Sequence, residues 1–244
     1  MGCSYESQNQ FGIICEEAVY ENDLKKRLSD SGLADVYTQV EVLVSYHSFE
    51  KLYRLDLVVN QMVYELKAVD VLLPKHEAQA LNYAALLNLS RIKLLNFRNQ
   101  QVTGKLLGSP FHEIDRTTVT IDRSGWKMMT AECSSLSDLF EDLVRKIGGF
   151  LEAKLYEEAI IHFYGGKEAC VKRLPIIRDG YVLGHHNCNL YSSDAAFVVS
   201  TEGNLSIRKS LRNQLNSLLK ALPIQTIQWI NIHHRNVTFL TLIK

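Results

Sequence analysis

Apolar side chains recur along this chain with two periods, and the switches between them mark out its elements. In residues 11–29, FGIICEEAVYENDLKKRLS, Ile14, Ala18, Leu24 and Leu28 stand at spacings compatible with one helix, which Gly32 then breaks. Residues 36–46, VYTQVEVLVSY, are rich in Val and Tyr and partly alternate, as a strand does. Residues 53–59 and 62–68 read as two more strands, an antiparallel hairpin around Asn60-Gln61. HEAQALNYAALLNL at 76–89 returns to helical spacing, and IKLLNF at 92–97 to a strand. The order helix, three strands, helix, strand predicts the α/β class, a mixed β-sheet flanked by helices. Residues 99–137 are less regular, with a strand at 117–121 and a turn at Arg123-Ser124-Gly125, and read as a connecting stretch.

The second half repeats this order. LEAKLYEEA within residues 140–162 echoes CEEAVYEND at 15–23, a strand at 171–177 answers 39–44, and AFVVS at 196–200 falls where VYELK stands. A helix at 210–222 matches 76–89, and IQWINI with His-His-Arg-Asn-Val after it mirrors IKLLNF with Arg-Asn-Gln-Gln-Val after it. Such self-similarity predicts an internal duplication: one domain at 1–112, a connector at 113–137, and a degenerate copy at 138–244. Laid over the first copy, the second places Val198 at Glu65, Ser200 at Lys67 and Asn189 at Asp56. The apolar framework is kept and the charges are lost, so the fold itself does not require Asp56, Glu65 or Lys67.

Composition narrows the classes. The 244 residues suffice for one large domain or two small ones, and 46% hydrophobic with 22% charged residues is ordinary for a globular protein. Lys plus Arg and Asp plus Glu number 27 each, so any contact with nucleic acid must be local rather than a coat over the whole surface. Five scattered cysteines without a CxxC pair argue against structural zinc and suit free thiols in a reducing cytoplasm. The first twenty residues lack an apolar run of leader length, and no stretch is long enough to span a membrane; a cytoplasmic protein is expected. His185-His186 and His233-His234 are adjacent pairs that point to opposite faces of a strand, and Trp229 reads as core. No Gly-rich phosphate loop and no Ser or Cys nucleophile motif stands out.

The chemistry lies in RLDLVVNQMVYELKA, residues 54–68. Strand residues two apart share a face, so Glu65 and Lys67 point the same way, and antiparallel pairing around Asn60-Gln61 brings Asp56 beside Glu65. Two adjacent carboxylates repel each other unless a cation intervenes, and hard oxygen ligands select Mg²⁺ or Mn²⁺. An amine alongside orients an attacking water or stabilises charge developing on a phosphate. The plain alternative is a surface ion pair on an exposed edge strand. On the following helix Gln79 and Tyr83 are four residues apart and share a face, with His76 on the same side.

An Asp, then Glu-x-Lys on the next strand, then Gln-x-x-x-Tyr on the next helix resembles the PD-(D/E)XK nuclease superfamily, RecB-like branch. Within it, YRLDLVV, VYELKAV and HEAQALNY are most similar to the small bacterial GxxExxY proteins, over about residues 11–98. The resemblance implies a restriction-endonuclease-like core that hydrolyses phosphodiester bonds. Asp56 and Glu65, helped by the Leu66 carbonyl, are then the Mg²⁺ or Mn²⁺ ligands, and Lys67 is the catalytic lysine. Gln79, Tyr83 and His76 lie on the substrate side. The family's helix acid falls on Glu17, because Glu17-Ala18-Val19-Tyr20 matches ExxY, whereas alignment on glycine favours Glu16. The implied partner is nucleic acid, DNA before RNA, with a homo-oligomer or an intramolecular pseudo-dimer as the assembly. A nuclease fold kept as a scaffold without activity is the alternative.

Overall fold

Two left-handed residues set the first sheet. Asn60 and Gln61, at φ 46° and 67°, supply the pair of positive angles that a two-residue type I′ hairpin needs, joining β2 (Phe49–Val59) to β3 (Met62–Lys67). β1 (Val36–Tyr46) lies beside β2, and β4 (Arg91–Asn96) runs parallel to β3. A parallel neighbour requires a crossover, here α3 (Pro74–Leu86). β5 (Thr103–Gly108) pairs antiparallel with β4, giving the order β1-β2-β3-β4-β5. Two helices precede the sheet, α1 (Gly2–Phe11) and α2 (Glu17–Asp30).

This is a computed structural model, and it describes residues 1–109 and 114–244. The protein is mixed α/β, with two mixed sheets flanked by helices. Its contacts divide it into two units: Met1–Val44 with Glu50–Ile114, and Ser45–Phe49 with Asp115–Lys244. The boundary expected at 112–113 lies outside the described residues. Among those described, no helix is long and apolar enough to cross a membrane.

The helix expected over 11–29 is shortened at its start, and a separate, unexpected helix over 2–11 precedes it. Gly12 ends α1 at φ 70°, its N–H bonded to the Gln8 carbonyl, and α2 starts only at Glu17. Tyr20 explains the break: its hydroxyl donates to the Gly12 carbonyl at 2.7 Å while its ring stacks on Phe97 at 4.5 Å. Ile14, placed by periodicity on the apolar face, is 84% exposed instead. The core of this unit packs Tyr20 and Leu24 against Leu57, Leu66, Leu95 and Phe97. Each such buried side chain contributes about 1.5–3 kcal/mol.

The second unit contains β6 (Thr120–Gly125), α4 (Ala131–Ile147), α5 (Ala153–Phe163), the single turn α6 (Lys167–Cys170), and β7 (Val171–Arg178). β8 (Tyr181–Ser192), β9 (Ala195–Ser200), α7 (Leu205–Ala221), β10 (Thr226–His233) and β11 (Asn236–Ile243) complete it. Its sheet runs β6-β11-β10-β9-β8-β7. Residues 113–137, expected to connect, therefore supply β6, parallel to β11, and the first turns of α4. Residues 103–108, also read as connection, are the edge strand β5. The glycines in TGKLLG hid that strand from its pattern.

The senses of pairing in the two sheets correspond. β8–β9 is antiparallel, β9–β10 parallel and β10–β11 antiparallel, as are β2–β3, β3–β4 and β4–β5. Gly148 ends α4 at φ 87°, bonds the Val144 carbonyl through its N–H, and accepts the Tyr156 hydroxyl at 2.7 Å, as Gly12 does for Tyr20. One alignment from the sequence is corrected. Leu57 faces Tyr64 in its ladder and Asn189 faces Phe197 in its own, so Cys188, not Asn189, stands at Asp56's place. A bulge between Leu190 and Ser192 inserts Tyr191 into β8 and shifts the count by one.

Candidate active site

β3 ends in Glu65-Leu66-Lys67, and its alternation separates the three. Leu66 enters the core with Leu57 and Leu95, while Glu65 and Lys67 share the other face. One step beyond the Leu57–Tyr64 pair, Asp56 stands opposite Glu65, and its Oδ2 accepts the Leu66 N–H at 2.7 Å. The Lys67 ammonium donates to Glu65 Oε1 at 2.6 Å and to the Leu66 carbonyl at 2.7 Å. It lies 3.9 Å from Asp56 Oδ2 and 3.6 Å from Glu17 Oε1. Glu17 is therefore the helix acid that reaches the cluster, and Glu16 is the exposed N-cap of α2.

Three carboxylates thus meet one ammonium in a largely buried place. Glu65 is 0% exposed, and its Oε2 has no hydrogen-bond partner among the described residues. Burial, reinforced by the charge of Asp56, pushes the Glu65 carboxyl up to about 8. Burial also raises Asp56 and Glu17. For Lys67 burial alone would lower the pKa, but Glu65, Asp56 and Glu17 more than offset it and the net shift is upward. Burial is the first cause of all three carboxyl shifts, and neighbouring carboxylates add to it at Glu65 and Glu17.

The atoms gathered around the ammonium are hard oxygens: Glu65 Oε1, the Leu66 carbonyl, Asp56 Oδ2 and Glu17 Oε1. Such a set fits Mg²⁺ or Mn²⁺, with the lysine nitrogen standing where a cation would stand. Among the described residues no three Asp, Glu, His or Cys side chains are grouped so that they could hold a metal ion as they stand. The unpartnered Glu65 Oε2 and the uncompensated charge are what a divalent ion would satisfy.

Helix α3 adds the aromatic side. Gln79 Nε2 donates to the Tyr83 hydroxyl at 3.2 Å, and buried Tyr83 packs edge-on to Tyr53. Burial raises the Tyr83 pKa against the lowering effect of the Gln79 bond, with Glu65 and Asp56 adding to the rise. His76 is differently engaged. It is the third residue of α3, and its Nδ1 accepts the Leu73 N–H at 3.0 Å, so that nitrogen caps the helix.

Two further residues escaped the sequence reading. Asn96 stands opposite Lys67 in the β3–β4 ladder and is fully buried. Its Oδ1 accepts the Val69 N–H at 3.1 Å and its Nδ2 donates to the Val69 carbonyl at 2.7 Å, pinning the chain as it leaves Lys67. Asn231 of IQWINI does the same for Glu202, at 3.0 and 3.1 Å. Buried Glu21, one turn after Glu17, accepts from Gln39 Nε2 at 2.7 Å. Gln39 holds a left-handed φ of 52° inside β1, which no strand pattern announces.

In the second unit the corresponding positions are Cys188, Val198 and Ser200. Trp229, paired with Val198, donates its indole N–H to Ser200 Oγ at 2.8 Å, and Ala153 takes the place of Glu17. These positions carry no carboxylate.

A family model described as the PD-(D/E)XK nuclease superfamily matches residues 1–106. No curated protein and no solved structure matches the chain. The matched segment supports a nuclease-type function, and nucleases of this superfamily generally use divalent metals. The mixed sheet with its flanking helices is consistent with a restriction-endonuclease-like fold.

Proposed function

We propose that the first unit is a metal-dependent nuclease that hydrolyses phosphodiester bonds of nucleic acid, DNA in the first place. One observation carries this reading: Asp56, Glu65, the Leu66 carbonyl and Glu17 converge on a single buried point now held by Lys67 Nζ. A surface ion pair would be exposed and matched one to one; this cluster is largely buried and sets three carboxyl groups against one ammonium. Asp56, Glu65 and the Leu66 carbonyl would hold Mg²⁺ or Mn²⁺, which supplies Lewis-acid polarisation of a phosphate oxygen.

The protein's own groups then have distinct tasks. Lys67 turns its ammonium from Glu65 toward the substrate, where it orients the attacking water and stabilises charge on the phosphoryl oxygens. Glu17 keeps that ammonium protonated and aimed. The Tyr83 hydroxyl, steadied by Gln79, lines the substrate side, and the Asn96 clamp on Val69 fixes the exit of β3 so that Lys67 does not drift.

We further infer that the second unit is a decayed copy. The shared order of pairing, the Gly–Tyr bonds and the two asparagine clamps support this, and the exchange of Asp56, Glu65 and Lys67 for Cys188, Val198 and Ser200 supports its having no cation site. The catalytic domain is then residues 1–112, and the second copy begins within the stretch first read as connector.

The test is cleavage of labelled DNA and RNA in Mn²⁺ by the parent, Glu65→Gln and Lys67→Ala. Loss of cutting in both variants, with circular dichroism unchanged, is expected. Variants that cut as fast as the parent would overturn the assignment.

A further inference from the structure

Beyond the rung that joins Asn189 to Phe197, β8 and β9 separate. Among the described residues β8 continues paired with β7, and β9 continues to Ser200 paired with β10. β2 and β3 separate at the corresponding place, after Leu57 and Tyr64, and there Asp56, Glu65 and Lys67 meet Glu17. In the second unit the corresponding positions are Cys188, Val198, Ser200 and Ala153, each with a shorter side chain. What stands at this parting is a cavity of about 490 Å³, lined by both strands, by α5 and by α7. That volume falls within the ~300–1,000 Å³ of small-molecule sites.

The lining divides by character. Its apolar part is deep: Ala196, Leu222 and Ile227 are buried, with Val198 and Leu218 half-buried beside them. Its rim is charged with both signs, because α5 brings Lys154, Glu157 and Glu158 and α6 brings Lys167. Lys154 lies 3.8 Å from Glu158, whereas Glu157 and Lys167 form no ion pair among the described residues. The charge of Glu157 is felt by the Cys170 thiol, one turn beyond Lys167 in α6, so the unpaired acid and the unpaired base share one end of the cavity.

An apolar floor favours a hydrocarbon body. A rim with two acids and two bases sets like charge against any ligand of a single sign, anion or cation. A molecule that carries both signs a few atoms apart satisfies both unpaired groups at once, each through a charge-assisted hydrogen bond. We infer that this cavity binds a free α-amino acid with an apolar side chain. The ammonium meets Glu157, the carboxylate meets Lys167, and the side chain lies against Leu222 and Ile227. The site uses none of Asp56, Glu65 and Lys67, so it stands or falls apart from the nuclease reading.

The test titrates the whole chain with L-leucine and L-phenylalanine. Two groups report binding: Trp229, which pairs with Val198 in the β9–β10 ladder, by fluorescence, and the Cys188 thiol in the cavity wall, by iodoacetamide labelling and mass spectrometry. Burial pushes that thiol up, so labelling is run at about pH 8.5. Either amino acid is expected to change the fluorescence saturably below about 10 mM and to slow labelling of Cys188 about fivefold or more, leaving Cys3 unaffected. Isoamylamine and 4-methylpentanoate, which carry the leucine body with one charge each, should bind at least about tenfold more weakly. Leucine should weaken equally in Glu157→Gln and in Lys167→Gln, and Val198→Phe, which fills the cavity, should abolish binding, with circular dichroism as the check on folding. No saturable change with either amino acid overturns the proposal, as does equal binding of the amine or the carboxylate alone. Parental affinity in both rim variants, or in a folded Val198→Phe, overturns it as well. If Val198→Phe does not fold, the two rim variants decide.

Discussion

Replacing Lys67 with Met keeps the length of the side chain and deletes its charge, leaving Glu17, Asp56 and Glu65 without a counter-ion. The ammonium stands 2.6 Å from Glu65 and 3.6 and 3.9 Å from Glu17 and Asp56. At an effective dielectric near 20, each of the longer pairs represents about 4 kcal/mol of attraction, against a desolvation penalty for the ammonium of several kcal/mol. The expected net loss from removing one partner of such a buried cluster is about 3–5 kcal/mol at high pH. The loss is capped because Glu65, already pushed up to about 8 by burial and Asp56, sheds its charge by taking a proton. The sign follows: the deficit is small near pH 6, where the acid is neutral, and grows as pH rises past 8. Glu65→Gln in the Lys67→Met background should restore about half of it. The assay is urea unfolding in EDTA followed by far-ultraviolet circular dichroism, since Trp126 and Trp229 both lie in the second unit and do not report on the first. A deficit below about 1 kcal/mol at pH 9, or one that shrinks as pH rises, would show that the lysine does not neutralise buried acids, because loss of a buried partner should exceed that.

Metal should stabilise what the lysine alone leaves unbalanced. Mn²⁺ at ten times its dissociation constant adds about 1.4 kcal/mol, a rise in midpoint of about 3–6 °C, which Asp56→Asn should abolish in a melting curve. Gly149→Ala is expected to unfold the second unit or destabilise it by more than about 3 kcal/mol, read by tryptophan fluorescence, because a Cβ there would lie 2.0 Å from the His234 carbonyl oxygen. Tyr20→Phe and Tyr156→Phe should each lose about 1 kcal/mol in denaturant titrations, the worth of one hydroxyl bond to a glycine carbonyl. The Cys170 thiol, pushed up to about 11 by burial and then by Glu157, should alkylate far more slowly at pH 8 than partly exposed Cys3 and Cys15, its rate rising with pH; mass spectrometry of the labelled peptides would show the opposite order if its burial were not real.

Local pattern carried much of the architecture. The alternation in VYTQVEVLVSY located β1, and the spacing in HEAQALNYAALLNL located α3 to within a turn. The pairing of Asp56 with Glu65 was legible because a two-residue turn at Asn60-Gln61 leaves the ladder no other simple register. Where the reading failed, a feature outside the pattern intervened. Gly12, held by a tyrosine eight residues away, ends an unexpected first helix, and the expected one starts only at Glu17. A single bulged residue, Tyr191, moved Cys188 into the place assigned to Asn189. Glu16 and Glu17 were equivalent as letters, and only the direction of α2 separated the exposed cap from the acid 3.6 Å from Lys67.

The amino-acid order by itself determined many of the strands and helices and which charges share a face, because period and turn chemistry are properties of neighbouring residues. Tertiary packing decided what those charges mean. Whether Glu65 and Lys67 form a solvated ion pair or a buried cluster depends on helices that arrive from residues 17 and 83 and exclude water. Desolvation, which raises the carboxyl groups of Glu17, Asp56 and Glu65 alike, exists only once those distant segments close around β3.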